Sequence, residues 1–125
     1  TLEIKLSTNG GALHSILPLL AAMKNTQAQV FVHAVSDVAS AGTMIMMAAD
    51  DVLVNEYCTI MMHQISFGAM GTGSSIESHV THTMKSSKTL LQDLYKDFFT
   101  DDEIEQMLSG RDFWLGKEDF DERYD

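Results

Sequence analysis

Three residues of this 125-residue chain have the chemical types that acyl transfer needs: Ser40, His63 and Asp112. Ser40 stands in Val38-Ala39-Ser40-Ala41-Gly42, where a strand gives way to a helix. Its neighbours have almost no side chain, so its hydroxyl can be reached and a substrate backbone can come close. A helix starting there would aim free amides, and the positive end of its dipole, at a developing oxyanion. The same small residues would also suit a helix that simply packs tightly. His63 closes the apolar segment Thr59-Ile60-Met61-Met62-His63, where it could act as a general base toward a serine opposite, or be a structural histidine satisfied by its neighbours. Asp112 lies in Gly110-Arg111-Asp112-Phe113-Trp114-Leu115, read as an irregular link between helices. A carboxylate there could orient the histidine, or be a surface acid beside Arg111.

Other residues compete for these roles. His14, His33, His79 and His82 are alternative bases. His79 and His82, three apart on one helix, have the spacing of two metal ligands, but no third ligand is well placed. The expectation is a solvated helix face, with no metal and no cofactor. Gly10-Gly11 reads as a tight turn whose amides could form half of an oxyanion hole. Met44, Met46 and Met47 read as core filler.

The elements that must position these residues alternate between strand and helix, which favours an α/β fold with mainly parallel strands. The pattern predicts strands over 2–6, 29–35, 51–54 and 59–62. A helix is expected from about Ser15 to Lys24, starting there because Pro18 is tolerated in a first turn. A very apolar helix is expected over 39–49, and a Gly-rich loop over 66–73. The longest helix, about 74–98, carries Ile76, Val80, Met84, Leu91, Leu94 and Phe98 at helical period. At about 37 Å it is too long for one small domain to cover, so part of it should project or meet a neighbouring subunit. Thr100 and Glu103 form a capping-box pattern for a helix through Leu108, and a short last helix follows Gly116.

Length and an apolar content of 45% fit one globular domain over residues 1–125. The first residues already read as a strand, so the domain is expected to lack an N-terminal part; a C-terminal part is expected to be missing as well. A net charge of −10 supplies no basic stripe and argues against nucleic acid as a partner. Eleven of the eighteen acids fall between Asp97 and Asp125, which reads as a solvated face, or as a dock for a basic partner. Cys58 has no cysteine to pair with, which fits a reducing, cytoplasmic setting. No apolar run reaches the roughly 18 residues of a membrane span.

Taken in order, the segments Asn9-Gly10-Gly11, Ala39-Ser40-Ala41-Gly42, Met61-Met62-His63-Gln64, Ile76-Glu77-Ser78-His79 and Arg111-Asp112-Phe113-Trp114-Leu115 resemble the Clp protease proteolytic subunit. The resemblance covers nearly the whole chain. It implies the fold shared by Clp peptidases and crotonases, with a long protruding helix. It implies Ser40 as nucleophile, His63 as base and Asp112 as its orienter, with the amides of Gly10 and Ala41 as the oxyanion hole. Gln64, Ile65, Ser66, Phe67 and Gly68 would bind substrate as an added strand. The partners implied are unfolded polypeptides, further copies of the chain in stacked heptameric rings, and a ring-shaped Clp ATPase. The chain departs from the family pattern at Asn9 and Ile65, where proline is usual, and at Gly110, where an acid that helps pair the rings is common. The family's N-terminal gating segment and final strand are not seen. These departures leave the three candidate residues in place and bear on ring pairing and ATPase docking.

Other chemistries of related folds fit less well. A crotonase-type acyl-CoA enzyme gives no reason for Ser40, His63 and Asp112 to occur together, and no Lys or Arg cluster for CoA is visible. A Ser–Lys peptidase would have to draw on Lys85, Lys88 or Lys96, all on the long helix. A catalytically inactive structural homologue of the Clp subunit is the remaining alternative.

Overall fold

The apolar run after Gln29 forms the spine of the molecule. In the computed structural model, which describes residues 1–11 and 13–124, the elements are β1 (Leu2–Thr8), α1 (Leu13–Asn25), β2 (Val30–Ala39), α2 (Gly42–Ala48), β3 (Asp51–Val54), β4 (Ile60–Met62), α3 (Gly73–Tyr95), α4 (Asp101–Leu108), β5 (Phe113–Leu115) and α5 (Lys117–Tyr124). Among the described residues the strands form a five-stranded sheet, β1-β2-β4-β5, with β3 also on β2. All pairings are parallel except β4 with β5. This is the α/β architecture expected, with a mostly parallel sheet and a long helix.

β2 is long enough to hold two partners along one edge. Phe31–Ala34 pair with β3, and Val38 and Ala39 pair with β4. Its other edge carries β1, from Leu2↔Val30 to Thr8↔Val38, with a register shift between Leu6 and Thr8. Val30, Val32, Ala34 and Val38 are buried with Met44, Met46, Ile60 and Met62 in one core. A β-branched strand covered by apolar helices is what buried parallel pairing requires.

Several boundaries differ from the sequence reading: β1 runs on to Thr8, and α2 covers only Gly42–Ala48 because Ala39 stays in β2 and Ser40 turns left-handed. Further differences also have local reasons. α1 starts at Leu13, so Pro18 lies inside the helix, where its missing amide costs one bond that packing of Leu20 and Met23 offsets. β2 runs on to Ala39, because Val38 and Ala39 find a new partner in β4. α3 ends at Tyr95, and the amides of Phe98 and Phe99 close a turn on the Tyr95 carbonyl. The expected irregular link around Asp112 becomes β5, antiparallel to β4.

A second, aromatic centre fixes β5. Phe98, Phe99, Phe113 and Phe120 are buried with ring centroids 4.6–5.1 Å apart along the chain of contacts. The Thr100–Glu103 capping box forms as expected. Glu103 also takes two bonds from the Arg123 guanidinium, at 3.0 and 2.7 Å, tying the start of α4 to the end of α5. By contrast, residues 71–82 of the loop end and α3 are exposed throughout.

Candidate active site

Strand register brings the candidate residues to one edge of the sheet. Ser40 follows the last residue of β2, and His63 follows the last residue of β4, its parallel neighbour. The Ser40 amide continues the ladder by donating to the Met61 carbonyl at 2.8 Å. Because β5 runs antiparallel, the pairing Met62↔Phe113 sets Asp112, the residue before Phe113, opposite His63. The turn after β1 arrives at the same edge. Ligand sites in open parallel sheets gather at this carboxyl edge.

The hydroxyl Oγ of Ser40 lies 2.6 Å from Nε2 of His63. On the other side of the ring, Nδ1 is 3.8 Å from Oδ1 of Asp112. The first is a short hydrogen bond, and the second is an ion-pair distance beyond hydrogen-bond reach. His63 is 22% exposed and Asp112 50%, so the serine–histidine contact is the sheltered one. In the tautomer that carries its proton on Nδ1, toward the carboxylate, Nε2 accepts from the serine hydroxyl.

Ser40 adopts φ 57°, the left-handed region that costs a non-glycine residue about 1–2 kcal/mol. The sharp reversal lifts its side chain out of the strand before the chain enters α2. Its surroundings hold it there. The Ser40 carbonyl accepts from the Thr43 amide at 3.0 Å and from the Thr43 hydroxyl at 2.7 Å. A Cβ on Gly10 would stand 2.8 Å from Ser40 Cβ, and one on Gly42 would stand 2.2 Å from Thr8 Cγ2. Glycine at these positions lets the first turn close on the serine turn; Gly10 also has φ 105°.

The other expected site residues are distributed as follows. The Gly10 amide donates to Thr8 Oγ1 at 3.0 Å, so the group expected to meet an oxyanion is engaged within its own turn. Ala41 is buried at the entry to α2. Gln64 and Ile65 are half-buried beyond His63, with Ile65 against the core. Ser66, Phe67 and Gly68 are exposed, and the Phe67 ring lies 5.9 Å from that of His79.

Of the competing histidines, His33, His79 and His82 make their contacts elsewhere. His33 bonds to Asn55 Oδ1 at 2.7 Å, and His82 lies 3.4 Å from Ser86 Oγ. The side chain of His14 lies outside the described residues. Among the described residues, no group of three or more His, Cys, Asp or Glu side chains is placed to hold a metal ion. Cys58 is buried, and burial above all pushes its thiol up, away from the reactive thiolate. No described helix is long and apolar enough to cross a membrane.

Sequence reasoning missed Thr43 and Tyr95. The Thr43 hydroxyl touches both the Ser40 carbonyl and the Tyr95 hydroxyl, the latter at 2.7 Å. Compared with known families, residues 1–122 match the family model described as Clp protease.

Proposed function

The chain belongs to the Clp protease family, and from that premise we propose that it is a serine endopeptidase acting on unfolded polypeptides. The reading rests on the 2.6 Å contact between Ser40 Oγ and His63 Nε2 across the ends of β2 and β4. In this reading His63 removes the serine proton as Oγ bonds to the scissile carbonyl carbon. The carbonyl π electrons move to oxygen, and collapse of that oxyanion breaks the C–N bond while His63 protonates the departing amine. Water then repeats the sequence on the acyl-enzyme. Asp112 steadies the imidazolium, and closing the present 3.8 Å gap would complete the hydrogen bond. The amides assigned to the oxyanion are those of Ala41 and of Gly10, the latter once it leaves Thr8 Oγ1.

Substrate would lie extended against residues 64–68, its backbone pairing with theirs, so side-chain preference would be broad. We assign the exposed apolar positions Phe67, Met70, Ile76, Val80 and Met84 to contact with further copies of the chain in a ring. Such rings enclose the sites, and a Clp ATPase would feed them. The chain carries no Gly-Lys-Ser/Thr phosphate loop with which to unfold substrates itself. The test is to offer the purified protein a fluorogenic peptide and a stably folded protein side by side. Peptide cleavage without nucleotide, with the folded protein untouched, is expected. Rapid digestion of the folded protein would mean an open site and would refute the chamber.

A further inference from the structure

We propose that Tyr95 and Thr43 act as positioning residues for Ser40, a two-hydroxyl relay that holds the nucleophile turn in its left-handed conformation. The inference rests on reading Ser40 as the nucleophile. Ser40 at φ 57° is strained, and strain persists only where surrounding structure overrides it. Two bonds converge on its carbonyl oxygen, from the amide and the hydroxyl of Thr43.

The direction of the second link follows from proton counting. A threonine hydroxyl has one proton, and a carbonyl can only accept. Thr43 therefore spends its proton on Ser40, and its oxygen must accept from Tyr95, 2.7 Å away. Tyr95 serves only while protonated. It is 1% exposed, and burial holds its phenol protonated far above the ordinary tyrosine range. Thr43 is fully buried too, so neither hydroxyl faces bulk solvent. Buried hydroxyls satisfied by one another specify a single geometry, and removing one leaves its partner unpaired.

The relay also joins distant parts of the chain. Tyr95 is the last residue of α3, the helix whose first half is exposed, whereas Thr43 lies in the first turn of α2. The end of the long helix is thus linked through two side chains to the backbone of Ser40.

The test uses Tyr95→Phe, Thr43→Val and Thr43→Ser in the purified protein, with two readouts. One is the rate at which a fluorophosphonate labels Ser40. The other, independent of turnover, is the set of ring carbon and proton chemical shifts of His63, with Ser40→Ala as the reference for a broken Ser40–His63 contact. Tyr95→Phe and Thr43→Val are expected to slow labelling about tenfold and move the His63 shifts toward the reference. Thr43→Ser should stay within about twofold of wild type, and the double variant should be no worse than Thr43→Val alone. Wild-type shifts and labelling in Tyr95→Phe would overturn the relay, as would equal losses in Thr43→Ser and Thr43→Val. If wild-type Ser40 takes no label while Tyr95→Phe still moves the His63 shifts, the relay stands and the peptidase reading falls.

Discussion

His63 faces Ser40 and Asp112 unequally: Nε2 is 2.6 Å from the serine hydroxyl, whereas Nδ1 is 3.8 Å from the carboxylate. The difference follows from how each partner is held. Ser40 is held by its own backbone bonds, its amide on the Met61 carbonyl of β4 and its carbonyl on the Thr43 amide of α2. Asp112 sits at the open start of a three-residue strand, with half of its side chain in solvent. An exposed carboxylate near an imidazole adds little to folding and can matter much to a developing imidazolium.

Asp112→Asn should therefore slow peptide hydrolysis by a factor on the order of 10³–10⁴ while shifting unfolding free energy by less than about 0.5 kcal/mol. Asp50 and Asp51 make a contrasting pair, since their carboxylates bind the amides of Val30 and Val52, at the far end of β2 from Ser40. Substitutions there should cost stability more than rate. Full activity in Asp112→Asn, with rate losses at Asp50 or Asp51, would move the acid elsewhere.

Gly42→Ala should damage both fold and site, because the new Cβ would meet Thr8 Cγ2 at 2.2 Å. Overpacking of this kind costs about 1–3 kcal/mol, and it would push the turn after β1 away from Ser40. Among the described residues, nothing lies within 4 Å of a Cβ built on Gly11. Gly11→Ala should melt near the wild-type temperature, and scanning calorimetry of the two variants checks the difference. Equal melting temperatures would mean that the contact yields easily.

Much of this arrangement was legible in the sequence, and what was missed has physical causes. Ser40 and His63 stand out as candidates, one among small residues and one closing an apolar strand, but only the family resemblance joins them. Parallel pairing of the strands before them then brings their ends together. β5 was not legible, because Phe113-Trp114-Leu115 is too short to show alternation, and its pairing with β4 depends on the aromatic cluster beneath it. The Tyr95–Thr43 contact was hidden for another reason. The two residues are 52 positions apart, and a tyrosine on a buried helical stripe looks like any other apolar residue until its hydroxyl meets a partner.

Acid should unfold the protein partly through Glu103. The Arg123 guanidinium, bonded to both oxygens, holds this carboxyl down at about 2. A depressed carboxylate contributes its stability above the unfolded value of about 4.3 and loses it as pH falls through the folded value of about 2. The expected loss across that window is about 1–2 kcal/mol, allowing for partial contact with solvent. Glu103→Gln should be less stable at neutral pH and show a flatter acid profile there. An unchanged profile in denaturant titrations would put the acid sensitivity elsewhere.

Self-association should run through the exposed half of α3, where Ile76, Val80 and Met84 line up at helical spacing. Val80→Glu should shift the protein to smaller species in sedimentation and native mass spectrometry, leaving its circular dichroism unchanged. A wild-type protein that is monomeric at micromolar concentration would rule out the ring, and a Val80→Glu ring of wild-type size would place the contact on another face.

The central claim is that Ser40 is a nucleophile activated by His63, and its most direct test is covalent. Wild-type protein, Ser40→Ala and His63→Ala are treated with a fluorophosphonate, digested and mapped by mass spectrometry. The adduct should fall on the peptide containing Ser40, be absent in Ser40→Ala, and form at a rate reduced by orders of magnitude in His63→Ala. Labelling that persists undiminished in Ser40→Ala, or a wild-type protein that takes no label at Ser40, would contradict the assignment.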